Sequence, residues 1–101
     1  MGFTLYGQKG KELDINVGTR DLLTQLTAGW WPLLGLPARI NKEDCIMLGR
    51  VLNNYAFLQE HMDPIFRKLM RWPEETADDI DWLRGAANFF RRYGPVERRD
   101  G

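Results

Sequence analysis

Apolar and polar positions alternate in two short stretches near the start of the chain, FTLY at 3–6 and ELDINV at 12–17. Phe3 and Leu5 share one face of the first, and Leu13, Ile15 and Val17 share one face of the second. This period of two marks half-buried strands. GQKGK between them supplies two glycines for a loop, so the pattern predicts a β-hairpin over 3–17. Two strands alone are marginal in water, so the ribbon must lie on helices.

The period then lengthens. GTRDLLTQLTAGWW reads as a helix near 20–30, with Thr19 as cap and Leu22, Leu23, Leu26 and Trp30 on one face. Pro32 disfavours helical geometry at Trp31, so Trp30 closes the inner stripe while Trp31 points elsewhere. Asn41 followed by KED opens a helix over 42–61. On its wheel Cys45, Met47, Leu48, Val51, Leu52, Tyr55, Ala56, Leu58 and Met62 fill one half. Gly49, Arg50, Asn53, Asn54, Glu60 and His61 fill the other. Ile46 and Phe57 break the rule: they fall in the polar half, nearly aligned and about 16 Å apart along the axis.

Asp63-Pro64 restarts the chain as a helix over 64–71, expected to turn Ile65, Phe66, Leu69 and Met70 inward and Arg67, Lys68 and Arg71 outward. Trp72-Pro73 stops it. A last helix over 74–93 carries two adjoining stripes, Ile80, Leu83, Ala87, Phe90 and Trp82, Ala86, Phe89, Tyr93, with acids at its start and Gly94 as C-terminal cap. The tail at 95–101 reads either as a short edge strand through Val96 or as an unstructured end. The expected fold is α+β: one domain over 1–101, an N-terminal β-hairpin packed on about four α-helices.

Composition narrows the function classes. Fourteen basic and fourteen acidic side chains cancel, so global charge calls for neither nucleic acid nor an acidic substrate. Cys45 is the sole cysteine, which rules out an intramolecular disulfide and favours a reducing compartment. The start lacks the pattern of a secretory signal, and no apolar window is long enough for a membrane span. Tyr6 stands where a myristoylation motif wants Ser or Thr. The expectation is a cytoplasmic domain without a membrane partner.

Catalytic constellations are equally sparse. On one helix Cys45 and His61 lie about 24 Å apart on different faces, too far for a nucleophile and its base. A zinc site wants four ligands, mostly Cys and His, and the chain has two such residues. The run EETADDID opposes a helix dipole more simply than it binds a cation. The chain therefore reads as no enzyme, with no cofactor and no metal. Arg84, Arg91 and Arg92, with Arg98 and Arg99, form a row suited to an anionic partner. Asp81, Glu97 and Asp100 interrupt it, so a solvated face explains it better than a nucleic acid does.

The aromatic excess remains: four Trp, five Phe and three Tyr. Trp31, Ile46 and Phe57 fit no inner stripe. Either another element covers them, or they form an exposed apolar patch for another protein or for self-association. The expected function is a small protein–protein interaction module (adaptor, inhibitor or immunity-type protein) with those three residues as contacts. The alternatives are a small-ligand or nucleotide pocket lined by Trp30, Tyr55 and Trp82, and a weak nucleic-acid binder using the arginine face. Three segments, MGFTLYGQKGKELDI, INKEDCIMLGRVLNN and IDWLRGAANFFRRYGPVE, resemble short uncharacterised bacterial proteins of unknown function. That resemblance implies a bacterial or phage origin and a cytoplasmic domain, and it carries over no site residues.

Overall fold

A computed structural model of the protein describes residues 3–16, 39–71 and 74–99. The expected helix near 20–30, with Trp30 and Trp31, lies outside the described residues, as does Trp72. The chain forms strands β1 (Phe3–Tyr6), β2 (Glu12–Ile15) and β3 (Arg39–Ile40). Helices α1 (Lys42–His61), α2 (Pro64–Leu69) and α3 (Ala77–Tyr93) follow, and strand β4 (Val96–Arg99) closes the order. The class is α+β as expected, with three helices among the described residues rather than about four.

The hairpin is present, its second strand ending at Ile15 and its loop tightened by a 3-10 turn over Gln8–Gly10. Phe3 pairs with Ile15 and Leu5 with Leu13, which puts these four side chains on one face. Thr4, Tyr6, Glu12 and Asp14 take the other, where the Thr4 hydroxyl donates to Asp14 Oδ1 at 2.8 Å. The tail corrects the expectation of an edge strand. β4 is paired on both sides in a four-stranded antiparallel sheet of order β2-β1-β4-β3. Arg98, opposite Leu5, lays its guanidinium over the Phe3 ring at 4.2 Å and roofs that end of the core.

The core lies between this sheet and the α1–α3 pair. Leu5, Ile15, Ile40 and Val96 meet Cys45, Leu48, Leu52 and Ala56 of α1 and Leu83, Ala86, Ala87 and Phe90 of α3. On α1 the buried residues are Cys45, Leu48, Gly49, Leu52, Tyr55, Ala56 and Gln59. Their 3-4-3 spacing is one narrow seam, because among the described residues α3 is the one helix α1 packs against along its length. Met47 and Leu58, expected inward, sit about 100° off that seam and are exposed, whereas Gly49, expected outward, is buried. A Cβ on Gly49 would lie 3.0 Å from the Ala87 carbonyl oxygen, so the absent side chain sets how closely the helices approach.

One terminus also differs from expectation. α3 starts at Ala77 and not at 74: Thr76 accepts from the Asp79 N–H while Asp79 Oδ2 accepts from the Thr76 N–H, a closed capping box. Gly94 caps the other end as expected, with an extended backbone (φ −70°, ψ 153°). Its reason is proximity: a Cβ there would meet the Cys45 Cβ at 2.7 Å. Among the described residues no helix is long and apolar enough to cross a membrane.

Candidate functional site

α2 begins where Asp63 Oδ1 accepts the N–H groups of Ile65 (2.7 Å) and Phe66 (3.3 Å), with Pro64 in the first turn. What fixes its rotation is a polar knot and not apolar packing. Arg67 donates from Nη1 to Gln59 Oε1 at 2.6 Å and from Nη2 to the Gln59 carbonyl at 2.7 Å. Gln59 Nε2 donates to the Tyr55 hydroxyl at 3.0 Å, and that hydroxyl donates to Glu75 Oε1 at 3.0 Å. The Glu75 N–H reaches Gln59 Oε1 at 3.4 Å. Gln59 is only 5% exposed, so α1, α2 and the approach to α3 are tied through one buried amide. Burial pushes the Tyr55 phenol up to about 12, and the neighbouring Glu75 carboxylate adds to that.

The knot turns Arg67 toward α1, the reverse of the expected orientation. Ile65 (72% exposed), Phe66 (50%), Leu69 (76%) and Met70 (59%) consequently face solvent as one stripe at i, i+1, i+4, i+5. On the flank of α1, Phe57 is 58% exposed and its ring stacks on His61 at 4.4 Å between centroids. Leu58 beside it is also exposed. Six of the seven large exposed apolar side chains among the described residues thus lie between positions 57 and 70.

The contacts expected from sequence are only partly in this place. Phe57 is exposed, Ile46 is half-buried nearly three turns away along α1, and Trp31 lies outside the described residues. Of the pocket candidates, Tyr55 is buried in the knot, Trp82 is half-buried against the core, and Trp30 lies outside the described residues. Among the described residues a cleft of about 660 Å³ runs beside α2, and it is lined instead by residues that include Gln59, Glu60, Arg67, Lys68, Arg71 and Glu74. Its cations and carboxylates nearly balance, and Arg67 and Glu60 already have partners.

The arginine face divides in the same way. Arg84 is ion-paired with Glu60 of α1, which holds the glutamate below the usual carboxylate range. The stem of Arg91 lies over Gly49, and Arg92 is exposed. Cys45 is fully buried; desolvation pushes its thiol up to about 11, and its Sγ donates to the Ile40 carbonyl at 3.7 Å. His61, exposed and stacked on Phe57, is not its partner.

Sequence reasoning missed the knot and the outward stripe. One signal was available: Gln59 falls on the line of Cys45, Leu48, Leu52 and Tyr55, a polar residue at a core position. No known protein family, characterised protein or solved structure matches the chain.

Proposed function

We propose that the protein is a small interaction module that works by surface complementarity, through the outer apolar stripe of α2. The observation that carries this reading is the orientation of α2: four large apolar side chains on a short helix are each at least half exposed while its arginine is turned inward. Taking roughly 200 Å² for a fully exposed large apolar residue, those four present about 500 Å², the size of patch that marks a docking site on a soluble chain. A large, rigid side chain such as Phe66 contributes contact area with little loss of rotamer freedom.

A photoreactive phenylalanine analogue at position 66 tests the reading. Discrete crosslinked protein adducts are expected, and the same probe at exposed Asp81 of α3 should give none. Equal, diffuse labelling at both positions would refute a docking function for this face.

A further inference from the structure

We infer that the partner of the α2 stripe is a second copy of this chain, bound across a two-fold axis with the two α2 helices antiparallel. This rests on the interaction-module reading and goes beyond it by naming the occupant.

Three observations carry it. The first is area. The α2 stripe alone supplies about 500 Å² per copy, hence about 1,000 Å² for a pair, the lower limit for a specific interface. The second is self-complementarity. A two-fold contact must place residue i against j and j against i. The stripe meets that condition: antiparallel pairing sets Ile65 against Met70 and Phe66 against Leu69, twice over. The third is charge. Asp63 opens α2, and the exposed Arg71 lies just past its far end, about 12 Å away. Antiparallel pairing brings Asp63 of one copy beside Arg71 of the other. The chain as a whole is neutral, so two copies approach without net repulsion. The near balance of cations and carboxylates beside α2 gives an anionic lipid surface no net attraction.

The test is sedimentation equilibrium on the full chain from about 1 µM to about 1 mM, beside the double variant Ile65→Glu, Leu69→Glu. The expected result is a reversible dimer whose dissociation constant rises at least about a hundredfold in the variant, since burying two charges per copy costs several times RT. A measurement independent of that variant's folding is to mix a Phe66→Cys chain with a Leu69→Cys chain under mild oxidation. Mixed disulfides should dominate over self-pairs, and buried Cys45 should stay out of the exchange. A monomer at every concentration, a dimer indifferent to positions 65 and 69, or disulfides without preference would each overturn the inference. If the chain is monomeric but the position-66 probe captures a different protein, the second-copy inference fails and the interaction-module reading stands. If the probe reports only anionic phosphatidylserine vesicles or another part of the same chain, both fail.

Discussion

Gln59→Leu removes the buried amide while nearly keeping its volume, and the loss can be worked bond by bond. Arg67 forfeits its 2.6 Å bond to Oε1 but keeps the Gln59 carbonyl at 2.7 Å. A charge-assisted bond of this kind contributes about 1.5–3 kcal/mol. The Glu75 N–H loses its side-chain acceptor, a long contact at 3.4 Å worth less than about 1 kcal/mol. Tyr55 still donates to Glu75, so its hydroxyl remains satisfied. The expected total is about 2–4 kcal/mol, which in a domain of this size lowers the melting midpoint by roughly 8–30 °C. Urea unfolding followed by circular dichroism measures it as a shift in midpoint at unchanged slope. The cycle with Arg67→Met separates the knot from simple packing: its coupling energy should exceed about 1 kcal/mol. Gln59 donates to the Tyr55 oxygen and so favours the phenolate; its removal should move the Tyr55 titration further upward. A loss below about 1 kcal/mol with additive single variants would show that the amide ties nothing together.

From neutral pH stability should be flat up to about pH 9 and fall above it. Below the ordinary thiol value of 9.0, Cys45 is protonated whether folded or unfolded; between 9.0 and about 11 only the unfolded chain gives up the proton. The folded state then loses up to about 3 kcal/mol, and Tyr55 extends the loss toward about 12. Denaturant titrations at stepped pH measure this, and Cys45→Ala should erase the first limb of the curve. Gly94→Ala should cost about 1–3 kcal/mol in urea unfolding, because the added methyl collides with the Cys45 Cβ and lies 3.1 Å from the Phe90 carbonyl oxygen. A neutral result would mean that α1 and the end of α3 separate easily. Phe57→Ala should cost under about 1 kcal/mol by thermal melting, as exposed positions do; a loss of several kcal/mol would place that ring in the core.

What could be read from the sequence was local. The hairpin register follows from alternation, and the start of α1 from Asn41, whose Oδ1 accepts the Asp44 N–H at 2.8 Å. The start of α3 was legible but misjudged. Pro73 and two glutamates imitate a first turn, yet Thr76 and Asp79 form the capping pair just before Ile80. β3 is two residues long, too short to show any period, and it becomes a strand only because β4 pairs beside it. The orientation of α2 was misread for a different reason. Wheel reasoning assigns apolar residues to the interior unless a polar partner for the other face is known. Here that partner, Gln59, belongs to another helix. The candidate contacts inherited the same blindness: Phe57 was found by its misfit, whereas Ile65, Phe66, Leu69 and Met70 fitted too well to be noticed.

The energetics of α2 show why the misfit matters. Turning the helix to bury even half of its stripe would remove about 250 Å² of apolar surface from water, a gain of about 6 kcal/mol. Keeping it turned outward preserves the two Arg67 bonds, whose net contribution is about 3–6 kcal/mol. Considered alone, the exposed stripe is the weaker bargain, so the outward orientation must be enforced by the chain. The enforcement is visible at both ends. Asp63 clamps the first turn after a link of two residues from α1, and Glu75 is held by Tyr55 and Gln59 on the far side. Rolling the helix would break these contacts together with the two Arg67 bonds, which favours the outward orientation of its apolar side. Covering it with another surface recovers the forgone burial without breaking the knot, and this is the thermodynamic basis for reading α2 as a docking element.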